Sequence, residues 1–411
     1  MSKTISLKKV AKYSDARIPI KNVTIDNFVT TDNLLQNKLG ITKATSLPPQ
    51  DGNMPAYFKN NILIGNIRPY LKKIWFADKD GGNSADVLTI KVNEKHNPKF
   101  IYYALYRDDF FEHMMKGSKG TKMPRGDKNQ IMDFSIPDIS LESEEKIANV
   151  LSSLDSKIEL NNKINKELEA MAKTLYDYWF AQFDFPDVNG KPYKSSGGKM
   201  VYNQELKREI PERWEIGCIG DYCKSTGGFA FKSSWWTEKG VSVIKIKDIQ
   251  ENYTIDISNL SKVDLSNKKI DDKFKAEAGN VLIAMTGATV GKYAIVPITD
   301  NSIYINQRVG YFNLGKEPTK KLPYFINSLN QSYFREMIFT LASGAAQPNI
   351  SNEQINNIKL LIPKKDIVEN FNNKLSSFYK LILNNQQQNQ ELSKLRDWLL
   401  PMLMNGQVRV K

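Results

Sequence analysis

Apolar positions along the chain follow two regimes, and each is met twice. Short β-rich runs such as Asn61-Ile-Leu-Ile-Gly65, Asp86-Val-Leu-Thr-Ile-Lys91, Gly240-Val-Ser-Val-Ile-Lys245 and Tyr293-Ala-Ile-Val296 are separated by Gly, Asn and Asp, the pattern of strands joined by turns. Each set is accompanied by one aromatic amphipathic stretch, Phe100 to Met115 and Tyr324 to Phe339, predicted as a helix. Longer segments follow in which apolar residues recur every three or four positions. The first runs Ile147, Leu151, Leu154, Ile158, Asn161, Ile164, Leu168, Met171, Leu175, Tyr178, with a stammer around Asn161. The second runs Val368, Phe371, Leu375, Phe378, Ile382, Asn385, then Leu392, Leu395, Leu399, Met402. Both spacings predict coiled-coil helices. Ser140, with Glu142, Glu144 and Glu145 behind it, is the N-cap expected for the first, and Asp366-Ile-Val-Glu369 has capping-box spacing for the second.

The two halves are copies. Gly120-Thr-Lys-Met-Pro124 is echoed by Gly344-Ala-Ala-Gln-Pro348 and Gln130-Ile131 by Gln354-Ile355, at an offset of 224. Asn61-Ile-Leu-Ile64 matches Asn280-Val-Leu-Ile283 and Lys73 matches Lys292, at an offset of 219. Between these landmarks Tyr102-Tyr103 pairs with Tyr324-Phe325 and Phe110-Phe111 with Tyr333-Phe334; further on, Leu160-Asn-Asn162 pairs with Leu383-Asn-Asn385. Landmarks kept in order with small insertions mark an internal duplication. The expected fold is α/β (α+β): a globular module over 1–140, a helix over 141–180, a linker over 181–213, a second module over 214–363, and a helix with a tail over 364–411.

Both seams turn polar midway, at Asn161-Asn-Lys-Ile-Asn165 and Asn384-Asn-Gln-Gln-Gln-Asn389. Polar centres at matching places suggest that the helices pair with each other, their amides setting the register. An antiparallel pair makes a rod of roughly 60 Å with a module at each end. B-DNA repeats every ~34 Å, so modules held this way reach two half-sites on one face.

Charge directs the choice of partner. The 411 residues carry 58 Lys+Arg against 45 Asp+Glu, a formal net charge of +13 with a pI near 9.3 and a mean hydropathy of −0.46, which favours a polyanion, nucleic acid first. No window approaches a membrane span, since the best run, around Asp397 to Met404, is short and carries a proline. Two cysteines, Cys218 and Cys223, make no disulfide framework, and the expected compartment is reducing cytoplasm. His96 and His113 lie outside any metal-ligand spacing.

Candidate nucleic-acid contacts sit in the modules. Lys116, Lys119, Lys122 and Arg125 recur every three residues through a stretch that Gly117, Gly120 and Pro124 make a loop, suited to phosphates and groove edges. Arg68, Tyr70, Lys72 and Lys73 form a second group, matched in the other copy by Thr286, Thr289 and Lys292. Phe231, Lys232, Ser233, Ser234, Gln307, Arg308 and Gln347 complete the set. Catalytic motifs are near misses. Gly287-Ala-Thr-Val-Gly291-Lys292-Tyr293 is one residue short of a P-loop and has Tyr where Ser or Thr must reach magnesium. Asp138 with Glu144-x-Lys146 imitates a nuclease triad, but the latter two fall in the first turns of a helix. Leu47-Pro-Pro-Gln50 lacks the amide and aromatic of an adenine methyltransferase. A self-sufficient nuclease or methyltransferase and a coiled-coil adaptor without a DNA role stay open as alternatives on these residues.

Leu175-Tyr-Asp-Tyr-Trp-Phe-Ala-Gln-Phe-Asp-Phe-Pro186, Asn189-Gly-Lys-Pro-Tyr-Lys-Ser-Ser-Gly-Gly198 and Leu206-Lys-Arg-Glu-Ile-Pro-Glu-Arg-Trp214 resemble the central conserved region of type I restriction-modification specificity subunits. Leu399-Leu-Pro-Met-Leu-Met-Asn-Gly406 is similar to that family's distal region, and Gly227-Gly-Phe-Ala-Phe231 to the entry of its second target-recognition domain. The resemblance implies a non-catalytic subunit that reads a split, asymmetric sequence in double-stranded DNA, one module per half. It also implies two methyltransferase subunits on the helices, with Leu151, Leu154, Leu175, Tyr178, Leu395 and Leu399 as the candidate contacts. Those subunits would carry S-adenosylmethionine, and two restriction-translocase subunits would add ATP- and magnesium-dependent cleavage. The first module departs from the pattern where Arg68-Pro-Tyr70 replaces the Thr-Gly turn.

Overall fold

The computed structural model describes residues 3–49, 51–120, 122–250, 253–343 and 348–410. They form two compact units, Met1–Ile158 with Glu391–Lys411, and Glu159–Gln390, so each long helix contributes to both. Among the described residues no helix is long and apolar enough to cross a membrane, and no group of three or more His, Cys, Asp or Glu is placed to hold a metal ion.

In the first unit an antiparallel sheet runs Ala11–Tyr13, Val87–Val92, Ile62–Gly65, Ile74–Phe76. Its inner face carries Ile62, Ile64, Ile74, Leu88 and Ile90, which pack on Phe100, Tyr103, Phe110, Phe111 and Met114. Ile147, Ala148 and Leu151 of the first long helix, Leu141–Tyr176, close this core together with Leu400, Leu403 and Met404 of the second, Lys365–Met404. The aromatic stretch expected as one helix is two, Pro98–Tyr106 and Asp108–Lys116, broken where Arg107 turns extended (φ −67°, ψ 151°). The second copy breaks at the matching place, between Leu322–Leu329 and Ser332–Ala342, with Gln331 extended (φ −68°, ψ 144°). The extended residue lets both half-helices lay their aromatic sides on one core.

The second unit repeats the antiparallel sheet in the same order: Ser225–Gly227, Val309–Phe312, Val281–Ala284, Tyr293–Ile295. A second sheet differs between copies. Each keeps a parallel pair, Phe28–Val29 with Gly81–Asn83 and Val241–Ile244 with Ile303–Ile305. Asn53–Tyr57 joins the later strand of the first pair, whereas Ser261–Val263 joins the earlier strand of the second. The stretch 181–213 makes the turns its composition predicts, but its aromatic residues anchor it. Phe183 and Phe185 are buried with Trp214 against Phe180, and the hairpin Met200–Asn203 with Arg208–Pro211 follows. Cys223 is buried and its thiol is pushed up to about 12 by desolvation, while Cys218 ends the strand Glu215–Cys218.

The two long helices run antiparallel wherever they meet within a unit. In the second unit Asn161 donates to Gln388 Oε1 (2.8 Å) and Asn389 Oδ1 (2.9 Å), Asn385 donates to Asn165 Oδ1 (2.8 Å), and Asn389 donates to Asn162 Oδ1 (2.8 Å). In the first unit Arg396 donates to Asp155 (2.8 Å) in the same register. The buried seam departs from the expected one beyond its centre. It passes through Asn165, Leu168, Ala172, Tyr176 and Trp179, leaving Met171 and Tyr178 exposed, so no stammer is needed. On the second helix it moves from Leu395 to Arg396 and from Leu399 to Leu400. That helix starts at Lys365, so Asp366 is inside it rather than capping it, and Glu369 pairs with Lys365 (3.6 Å).

Candidate nucleic-acid interface

Each module ends its central strand in a turn whose hydrogen bonds recur in the other copy. In the first unit Gly65 N–H donates to Lys73 C=O (3.0 Å), Asn66 N–H to Asp86 C=O (2.9 Å), Arg68 N–H to Pro124 C=O (2.7 Å) and Gly126 N–H to Asn66 C=O (3.2 Å). In the second, Ala284 donates to Lys292 (2.7 Å), Met285 to Arg308 (3.0 Å), Gly287 to Pro348 (2.9 Å) and Ile350 to Met285 (2.9 Å). Ile67 bridges Arg125 as Thr286 bridges Asn349, and Asp127 and Ser351 cap the short helices Lys128–Met132 and Asn352–Asn356 that follow. Offsets of 219 and 224 read in the sequence are therefore offsets in backbone hydrogen bonding. Three segments distant in sequence meet at this turn in each unit: the strand end, the 84–86 or 306–308 turn, and the loop before the cap.

The turn needs two left-handed residues. In the second copy these are Gly287 (φ 75°) and Gly291 (φ 82°), where the missing Cβ makes the conformation free of strain. Arg68 and Lys72 stand at the matching places, both at φ 52°. Five of the six buried side-chain polar atoms without a hydrogen-bond partner among the described residues lie around these turns: Asn66 Oδ1, Arg68 Nε, Ser84 Oγ, Thr286 Oγ1 and Thr289 Oγ1. Buried polar groups are ordinarily satisfied by protein or ordered water, and none of the described residues satisfies these five.

The expected contact residues divide by what already holds them. Lys116, the last residue of the helix Asp108–Lys116, and Lys119 and Lys122 on the loop behind it are exposed, with Lys119 3.8 Å from Asp127. Arg125 is exposed as well, but its guanidinium pairs with Asp86 (3.1 Å) and its backbone is bonded to Lys119 in both directions (3.0 Å each). Tyr70 is half exposed. Lys72 pairs with Asp108 (3.0 Å), which also takes Lys38 (2.6 Å). Burial works to raise the Asp108 carboxyl, yet the two lysines hold it below its ordinary value. Lys73 donates to the Thr31 carbonyl, and burial lowers its amine. Lys72 and Lys73, both half-buried, thus already have partners within the first unit.

In the second unit Gln307 and Arg308 are exposed on the turn, and Gln307 N–H donates to Phe229 C=O (3.0 Å). Thr286 and Thr289 are half-buried, as is Lys292. Lys232, Ser233 and Ser234 are exposed beside a cluster that sequence spacing did not reveal. Phe231 packs there with Phe229, Trp235, Trp236 and Tyr304. Lysines lie over its rings: Lys245 over Trp236 (3.4 Å), Lys268 over Trp235 (5.2 Å), Lys273 over Phe274 (5.1 Å) and Lys275 over Tyr304 (5.8 Å). Four segments contribute, so no local motif announces it. Gln347 lies outside the described residues.

On the helices, Leu151 is fully buried in the first core and has no surface to offer, while Leu154, Leu175 and Leu399 are half-buried. Leu395 and Tyr178 are exposed, the former one turn from the exposed Trp398. Glu144, part of the imitation nuclease triad, is turned inward, accepting from His96 Nδ1 (2.7 Å) and from the Asn97 N–H (2.7 Å). It is a strut between module and helix.

The family described as type I restriction modification DNA specificity domain matches residues 2–170 and 211–394, one match for each repeat. The type I restriction enzyme HindI specificity subunit of Haemophilus influenzae is 26% identical, with 93% of this chain and 94% of that protein covered. The MjaIX specificity subunit of Methanocaldococcus jannaschii is also 26% identical, over 76% of this chain and 69% of its own. The crystal structure of a type I restriction-modification S subunit from M. genitalium has the same fold, with a TM-score of 0.53 at 17% identity over 98% of this chain and 96% of that one. With its duplicated turns, its paired helices and both halves matched, the chain belongs to the type I restriction-modification DNA specificity family, a non-catalytic component of those systems.

Proposed function

We propose that the chain reads a bipartite, asymmetric site in double-stranded DNA, one module per half-site, with the paired helices setting the unread distance between them. The observation that carries this reading is the turn whose four framing hydrogen bonds recur in both modules but which is furnished differently: Arg68 and Tyr70 in one, Thr286, Thr289 and Arg308 in the other. A common scaffold with unlike side chains suits two unlike half-sites. The differing second sheets and the lysine-ringed aromatic cluster of the second unit add to that asymmetry. The exposed apolar residues Leu395, Trp398 and Tyr178 support docking of two methyltransferase subunits on the helices. Those subunits bring S-adenosylmethionine and methylate adenine, and two restriction-translocase subunits use ATP and magnesium, all in the cytoplasm. The test is to map modified adenines in DNA from cells carrying the chain with its methyltransferase partner. A split motif with an unread centre is expected. A continuous motif, or methylation by the chain without a partner, overturns the proposal.

A further inference from the structure

We propose that Arg68 is the specificity-determining residue of the first module and selects a guanine in its half-site, an inference that rests on the half-site reading above. Two non-glycine residues in this turn occupy the left-handed region, Arg68 and Lys72, where the sister turn has Gly287 and Gly291. A side chain in that conformation is unfavourable and persists only where surrounding structure or function holds it. For Lys72 the protein itself supplies the reason, the 3.0 Å pair with Asp108. For Arg68 the backbone is held by hydrogen bonds, but none of the described residues uses its side chain. Its guanidinium has neither hydrogen bond nor ion pair among the described residues, and its Nε is buried without a partner. The fold does not require arginine here, since the same hydrogen-bonded turn forms around glycine in the second module.

The backbone around it is fixed. Arg68 N–H is bonded to Pro124 C=O at 2.7 Å, Pro69 opens the next helical turn, and the basic loop residues Lys119 and Arg125 lie on the same bridge system. The rigid backbone removes the cost of ordering a loop on binding and leaves only the side chain's own rotamers to be fixed. The guanidinium's two-pronged donor face matches O6 and N7 of guanine in the major groove. The neighbouring lysines carry charge that serves any sequence, whereas an unsatisfied arginine in a turn that differs between copies is suited to discrimination.

The test uses the chain assembled with its methyltransferase partner and a panel of duplexes in which each position of both half-sites is substituted, at low and moderate salt. The wild-type assembly establishes the starting preference; if it shows none in either half, the half-site reading itself fails, and this inference with it. R68G relieves the left-handed strain, so the melting temperature should hold or rise. At one guanine of a single half-site, discrimination should fall by roughly 5- to 150-fold, with the other half-site unchanged. R68K keeps the charge without the planar fork and should lose part of that discrimination while keeping the salt slope. R68N, which tolerates the left-handed region, supplies the readout should the glycine variant fold poorly. Full discrimination retained in these variants overturns the proposal. So does a uniform loss of affinity with a flatter salt slope, which would make Arg68 a phosphate contact.

Discussion

Glu144 and Glu169 lie on the same helix and are buried to opposite effect. Glu144 is 1% exposed and fully engaged by His96 and the Asn97 N–H. Replacing it with alanine leaves a half-buried N–H without its acceptor and an imidazole unpaired, and should destabilise the first unit by about 1–3 kcal/mol in urea unfolding; a loss below about 0.5 kcal/mol would show the strut to be idle. Glu169 has no such partner among the described residues, and burial pushes its carboxyl from 4.5 up to about 7. The folded chain thus binds one more proton than the unfolded chain between those values, so this group's contribution to stability is fully present below pH 4.5 and is lost as pH rises towards 7. E169Q should stabilise at pH 8 by on the order of 1 kcal/mol, a figure discounted for the group's partial exposure. Near pH 4 the gain should vanish, and a gain equal at both pH values would refute the linkage. Glu144 is a glutamate that folding uses; Glu169 is one that it tolerates.

At the scale of the element, the asparagines do what apolar spacing cannot. A seam of Leu and Ile repeats every seven residues and is indifferent to a slip of that length, whereas Asn165 and Asn385 meet only in one register. N165A alone leaves the Asn385 amide, 8% exposed, without its partner and should cost about 1–3 kcal/mol. N165L/N385L together should cost clearly less than the two single leucine changes summed, with a coupling of at least about 1 kcal/mol; strict additivity would remove the pair from the register. The same asparagines were legible in the sequence because both copies carry them. The far ends of the seams were legible less well, since an ideal helix drifts about 20° per heptad against a strict repeat. Burial passes from Met171 to Ala172 and from Leu395 to Arg396, and beyond Tyr176 a π-helical turn over Asp177–Ala181 brings Trp179 inward in place of Tyr178. Conserved spacing between copies exposed the turns at Arg68 and Gly287, since a hydrogen-bonded scaffold keeps its offsets. Spacing says nothing of strands two or three residues long such as Phe28–Val29 and Trp236–Thr237, whose partners are chosen by tertiary contact. The lysine-ringed rings around Trp235 and Trp236 were hidden for the same reason.

For the whole molecule, a formal charge of +13 favours attraction to any DNA, and on the proposed reading the basic loop focuses it. Replacing Lys116, Lys119 and Lys122 with alanine should flatten the dependence of log K on log salt by about 0.9 per lost phosphate contact, measured by titration at several salt concentrations; an unchanged slope places the loop outside the interface. Such electrostatics cannot set distance, which on the proposed reading falls to the helices. Deleting residues 157–163 and 387–393 removes one heptad from each in matching register, centred on the level where Asn161 meets Asn389. Seven residues correspond to about 10 Å of helix, or about three base pairs at 3.4 Å each. The deleted segments carry none of the residues assigned to the turns, so both half-sites should be retained. The motif mapped from methylated adenines should therefore keep its two ends and lose about three unread positions between them. Half-sites that change, or a spacer that does not, would mean that distance is set elsewhere than in the paired helices.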